Sequence, residues 1–154
     1  MILLQPMKEH EYTLWLKDSM KEYAEEKTKA GNFQKETSLE QAELEFKKLL
    51  PDGLNSENHY LFTLLSDKNQ DEIGNLWINV TEDKKELFIY DIKIHPNQRG
   101  KGFGKEAMRS LELFAKGKNI SKMSLHVFGH NKIALSLYEK VGYEITNVLM
   151  SKSI

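Results

Sequence analysis

Apolar residues recur along this chain at two spacings, and each change of spacing marks the start of a new element. "MILLQ" is a short β run closed by Pro6. From Lys8 to Ala30, Tyr12, Trp15, Leu16, Met20, Tyr23 and Ala24 return at helical spacing, and Gly31 supplies a stop. A second helix is predicted from Ser38, where Ser38 and Gln41 have the spacing of a capping box. Leu39, Ala42, Leu44, Phe46, Leu49 and Leu50 give it apolar surface, and Pro51-Asp52-Gly53 ends it.

The period then falls to two. "HYLFTLLS" and "IGNLWINV" are strands separated by a polar turn around Asp67 to Asp71, and "ELFIYDIKI" is a third. Strict alternation along the third places Phe88, Tyr90, Ile92 and Ile94 on one face and Leu87, Ile89, Asp91 and Lys93 on the other. An aspartate in such a strand marks an edge or a wet cleft more often than a dry core. Further on, Ala107, Met108, Leu111, Leu113, Phe114 and Ala115 define a helix, and "KMSLHVF" is a strand. Asn131 is placed to cap a last helix that packs through Ala134, Leu135, Leu137, Tyr138 and Val141 and stops at Gly142. "YEITNVLMS" is expected to close the chain as a strand. The order βααβββαβαβ predicts an α/β fold: a mixed, mostly antiparallel sheet with helices on both faces, formed by residues 1–154 as one domain.

Composition narrows the chemistry. The 22 basic and 23 acidic side chains nearly cancel, so no overall field attracts nucleic acid. The absence of cysteine removes disulfides, thiolate nucleophiles and cysteine-ligated zinc. The five histidines form no HExxH pair, and no metal site is expected. The apolar run in "MILLQPMKEHEY" is too short for a signal peptide or a membrane span, so a soluble, cytoplasmic protein with no membrane partner is expected.

The stretch "NQRGKGFGKEA", Asn97 to Ala107, joins a predicted strand to a predicted helix. Its glycines let a ligand approach the backbone, and the first amides of the helix have no intrahelical acceptor. With the positive end of the helix dipole and Arg99, Lys101 and Lys105 nearby, this suits a phosphate or pyrophosphate. A tight turn dressed with solvated charges is the plainer alternative. Two familiar motifs do not fit. Glu106 follows Lys105 where a Walker loop needs Ser or Thr, and position 107, the third glycine of a dinucleotide fingerprint, is alanine.

The run Gln98 to Gly104 resembles the coenzyme-binding motif [RQ]-x-x-G-x-[GA] of the GNAT superfamily of N-acetyltransferases, with Arg99, Gly102 and Gly104 at its defined positions. "HNKIALSLYEKVGY", His130 to Tyr143, resembles that family's second signature through Asn131, Ala134, Tyr138, Gly142 and Tyr143. The resemblance is specific over roughly Glu86 to Tyr143; before that it rests on element order.

The resemblance implies a GNAT-like fold and acetyl transfer from acetyl-coenzyme A to a small-molecule or peptide amine in a ternary complex. It implies that Arg99, Gly100, Lys101, Gly102, Phe103, Gly104 and Lys105 hold the pyrophosphate. The pantetheine arm would pair along Ile92, Lys93 and Ile94, with Lys93 facing out of that pairing, where this strand splays from "KMSLHVF". Asn131, Ala134 and Tyr138 would line the same slot, with Tyr138 as the acid that protonates the leaving thiolate. A core tyrosine with a surface hydroxyl is the structural alternative.

For the base, Asp91 ranks ahead of Glu25, Glu26, Glu72 and His126, against a salt-bridged or solvated sheet residue as the alternative. Tyr23, Glu25, Glu26 and Phe33 are the candidate acceptor-binding residues, although the acids also suit a solvated helix face. Trp15 and Trp77 are assigned to packing. A non-catalytic acyl-coenzyme A-binding regulatory domain is the second reading. A nucleic-acid module, the third, would need a wider basic stripe than Arg99, Lys101 and Lys105 provide. Exposed sheet edges fit either a monomer or a homodimer.

Overall fold

A computed structural model describes residues 1–154. In chain order it contains β1 (Ile2–Pro6), α1 (Glu9–Lys29), α2 (Ser38–Leu49), β2 (His59–Ser66), β3 (Glu72–Val80), β4 (Glu86–Ile94), α3 (Phe103–Gly117), β5 (Lys122–Leu125) and α4 (Lys132–Lys140). The strands form one sheet in sequence order, β1-β2-β3-β4-β5. The first three pairings are antiparallel and the last, β4 with β5, is parallel. This is the mixed, mostly antiparallel sheet the pattern predicts.

Two cores flank it. On one face, Ile73, Leu76, Ile78, Leu87 and Ile89 bury against Ala107, Met108 and Leu111 of α3. Each such aliphatic side chain contributes roughly 1.5–3 kcal/mol by leaving water. The polar link from α3 to β1 is satisfied, since the buried Ser110 hydroxyl donates to the Ile2 carbonyl at 2.7 Å. The other face is aromatic. Trp15 of α1, Phe46 of α2 and Trp77 of β3 pack together, the two indoles edge to face with centroids 5.5 Å apart.

Four expectations are corrected. Ser38 is the first residue of α2 and its hydroxyl donates to the Lys35 carbonyl, while Thr37 stands at the cap without a side-chain bond. The reciprocal contact lies at α1 instead, where the Lys8 N–H donates to the Glu11 carboxylate at 2.8 Å. Second, β4 does not alternate strictly. Trp77 pairs with Asp91 but Ile78 pairs with Ile89, so Tyr90 is an extra residue and the strand bulges. The bulge reverses the faces: Leu87, Ile89, Ile92 and Ile94 all meet the α3 core, and Asp91 and Lys93 turn toward α1.

Third, β5 stops at Leu125, leaving His126, Val127 and Phe128 outside the strand. Fourth, "YEITNVLMS" forms no strand: a strand exists only as paired backbone, and this segment finds no partner in its own chain. No helix is long and apolar enough to cross a membrane.

Candidate active site

The site begins where β4 loses a neighbour. Pairing with β5 ends at Ile89 and Leu125, yet β4 runs on to Ile94. The His95 N–H donates to the Ile73 carbonyl, which sets the phase of the ladder to β3. Alternation therefore turns the amides of Lys93 and Asp91 toward β3 and those of Ile92 and Ile94 toward the open side. The Lys93 side chain leaves on the α1 side and pairs with Glu22. Gly74 permits the close β3–β4 approach here, since a Cβ on it would stand 1.9 Å from the Lys93 carbonyl oxygen.

Beyond Ile94 the chain makes one 3-10 turn, Pro96–Gln98, and enters the glycine loop. Gly100 and Gly102 have φ of +76° and +83°, conformations that glycine adopts without a Cβ penalty. The consecutive amides from Gly100 to Lys105 donate to no acceptor in the chain. They converge on the N-terminus of α3, where the helix dipole adds its positive end. Lys101 reaches Gln98 at 3.2 Å, and Arg99 Nε donates to the Ile94 carbonyl at 2.9 Å. Arg99 thus occupies one acceptor of the open edge rather than projecting freely. Phe103 turns into the core, and Gly104 lies under Leu137 of α4.

α4 brings the second cluster. The Asn131 side chain accepts the Ala134 N–H at 3.2 Å, as a cap should. Tyr138, two turns on, packs half-buried against the α3 core and edge-on to Tyr143, 5.8 Å away. Burial pushes its phenol pKa up, and the charge of Asp91 pushes it further. Asp91 in turn is raised from 3.8 to about 6 by burial first and then by Glu22. The Trp15 N–H, Lys93 and the Ser19 hydroxyl, which is 3.4 Å away, partly offset that rise. The Trp15 N–H is buried and makes no hydrogen bond of full geometry. The Asp91 carboxylate thus lies on the α1 side of the open half of β4, and the Tyr138 phenol on the α3 side.

A cavity of about 320 Å³ reaches the neighbours of Asp91 from outside, lined by Trp15, Ser19, Lys93, Asp18, Glu72 and His95. Around the other end of α1, Lys27 Nζ lies 5.6 Å from the Tyr23 ring, 5.7 Å from Phe33 and 6.0 Å from Phe128. Glu26 pairs with His130, which stacks on Phe128 at 5.6 Å.

The sequence model of the Acetyltransferase (GNAT) family matches residues 15–143. This chain belongs to the GNAT acetyltransferase family. YycN of Bacillus subtilis (strain 168), an uncharacterized N-acetyltransferase, is 41% identical over 99% of both chains. YdgE from the same organism, also an uncharacterized N-acetyltransferase, is 31% identical over 98% of this chain and 97% of its own. The crystal structure of YycN superposes with a TM-score of 0.96 at 39% identity, covering 100% of this chain and 99% of the other. The aminoglycoside N-acetyltransferase AAC(6')-Iy, in complex with CoA, shares the fold with a TM-score of 0.56 at 14% identity, covering 100% of this chain and 95% of its own.

Within this GNAT fold the predicted residues fall into three groups. Ile92, Ile94 and the Gly100–Lys105 amides line one open edge, while Asp91 turns toward Ser19 of α1, Tyr138 packs on the α3 core, and Asn131 and Ala134 stand at the start of the helix that carries Tyr138. Tyr23, Glu26 and Phe33 gather at the far end of α1, but their rings and charge are already engaged by Lys27 and His130. Tyr23 also donates to Glu45. Glu25 stands apart, exposed, roughly a quarter of a helical turn off the face that carries Glu22 and Glu26. Glu72 pairs with His95 at 3.1 Å, and His126 has a pKa lowered by burial and then by Lys27. Pattern reading passed over Ser19, Lys27 and Phe128. Only Lys27 left a local signal, four residues after Tyr23 on one helix.

Proposed function

We propose that this GNAT protein moves an acetyl group from acetyl-coenzyme A to a primary amine by direct attack, with both substrates bound together. The unpaired half of β4, which leads directly into a run of unbonded amides at the start of α3, carries this reading. Those amides fit a pyrophosphate, and the open-facing amides of Ile92 and Ile94 fit an extended pantetheine arm. Acetyl-coenzyme A supplies the acetyl group as an activated thioester.

Gly100 to Lys105 bind and orient the donor, and Asn131 and Ala134 hold the start of α4 beside it. The Ile92 amide donates to the acyl oxygen as negative charge grows there. Asp91 takes the proton that an arriving ammonium must lose before its nitrogen can attack. Tyr138, kept protonated by burial and by Asp91, delivers a proton to the departing sulfur. With no cysteine in the chain, no acyl-thioenzyme can intervene. Glu26, Tyr23 and Phe33 shape the acceptor side through Lys27 and His130 rather than by offering a bare anionic cage.

Initial-rate kinetics across an amine panel with labelled acetyl-coenzyme A test this. Intersecting double-reciprocal lines are expected. Parallel lines overturn direct attack, and coenzyme binding without turnover on any amine favours the regulatory reading.

A further inference from the structure

We propose that the cavity beneath the first half of α1 holds the second nitrogen of a short aliphatic diamine, whose first nitrogen is the one acetylated beside Asp91. This rests on the acetyl-transfer reading and adds to it the class of acceptor. Glu11, Leu14, Trp15, Asp18 and Ser19 recur at three- and four-residue spacing and form one stripe of α1. The stripe lies over a rung that crosses three strands: Thr63 of β2 pairs with Asn75 of β3, and Asn75 pairs with Lys93 of β4. The cavity of about 320 Å³ is lined by both, room enough for a short chain.

Two buried polar atoms in its wall have no partner. Trp15 is 5% exposed, and its indole N–H, at the Asp91 end, is unbonded. The Asn75 side-chain oxygen, next to Thr63 on the rung, is buried without a donor. Buried polar atoms are ordinarily paired, so an unpaired acceptor in a cavity wall asks for a ligand that donates. The charges ask for the same. Lys93 is engaged by Glu22, and His95 by Glu72 at 3.1 Å, while His10 stands exposed at the rim. Glu11 has no cationic partner, its carboxylate accepting only the Lys8 N–H and the Thr63 hydroxyl, and Asp18 is paired with nothing. An ammonium supplies both the donors and the missing charge.

The spacing sets the length. Asp91 stands opposite Trp77 and Asn75 opposite Lys93, so Asn75 and Asp91 are diagonal neighbours, about 7–8 Å apart. Trp15 and Ser19 line the cavity and also face Asp91, which joins the two ends. The opposite end of α1 already holds a cation, Lys27, among its rings. At Asp91 the C–S bond of the thioester breaks as the C–N bond forms; one ammonium proton goes to the carboxylate and another to the departing sulfur. The second ammonium leaves unchanged on a monoacetylated product.

Rates for α,ω-diamines against monoamines of equal length, with calorimetry of diamine binding to the chain, test the proposal. The native chain should prefer the diamine by about tenfold or more in kcat/KM, and Asp18→Asn and Asn75→Leu should each reduce that preference and the calorimetric affinity several-fold. Asp18 is exposed, so its variant folds, and circular dichroism checks the other. Monoamines used as well as diamines, or a preference that survives both substitutions, overturn the diamine subsite and leave acetyl transfer standing. If no amine is acetylated, the transfer reading fails, and calorimetry still decides the cavity: diamine binding weakened by both variants supports it, and absent or unaltered binding overturns it.

Discussion

On one side of Tyr90, β4 runs from Glu86 to Ile89 between two neighbours; on the other, Asp91 to Ile94 keeps only β3. In the first half Leu87 and Ile89 are 0% and 4% exposed and serve the core. In the second, the ladder is open, and a carboxylate stands where hydrogen bonds and charges act on it. Tyr90 makes the change by being one residue too many, and its ring stacks on Trp77 at 4.6 Å, which holds the bulge against the sheet. A single strand thus supplies stability and chemistry in sequence. The two requirements are separated by a register shift rather than by separate elements.

That division can be broken at either end. The largest effect is expected for Asp91→Asn, which should lower kcat by roughly a hundredfold or more while coenzyme affinity, read by calorimetry, stays unchanged. The wild-type rate should fall as pH drops through about 6, and this limb should vanish in the variant. Its effect on stability has the opposite sign. Because the folded-state value of Asp91 is raised above the ordinary 3.8, its favourable contribution is fully present below that value and is lost as pH rises through about 6. The variant should therefore unfold at higher denaturant near neutral pH, by on the order of 2 kcal/mol.

Leu87→Ala, in the other half, should cost about 2–5 kcal/mol of stability and leave kcat per folded molecule unchanged. Gly74→Ala forces β3 away from Lys93 and should join the two effects: a loss of about 1–3 kcal/mol together with weaker coenzyme binding. Tyr138→Phe should slow turnover about tenfold to a hundredfold with little change in coenzyme affinity. An unchanged rate would return Tyr138 to packing. Smallest is Arg99→Ala, which removes one hydrogen bond to Ile94 and should weaken coenzyme binding only a few-fold, by about 1 kcal/mol.

Features whose cause is local were legible in the residues. Gly100 and Gly102 announce themselves because the loop needs positive φ, and Asn131 because a cap is made within four residues. The helices follow from apolar period. The Tyr90 bulge is different in kind. It belongs to the pairing with Trp77 and Ile78, and nothing in "ELFIYDIKI" states how many of its residues face one partner. The faces of Ile92 and Ile94 inherit that ambiguity. Lys27 was hidden for a similar reason, since its three rings come from α1, the loop after it and the segment after β5. "YEITNVLMS" has the composition of a strand, but composition cannot supply the neighbour that would make it one.

The aromatic face of the sheet has an optical consequence. The chain holds only two tryptophans, and both border Asp91: Trp15 directs its indole N–H at that region, and Trp77 lies opposite it on β3. Their centroids are 5.5 Å apart, so their emission is a single coupled signal from the neighbourhood of the carboxylate. Intrinsic fluorescence should follow the protonation of Asp91 and the arrival of an amine beside it. The protein carries its own label at the place where the reaction is proposed to occur.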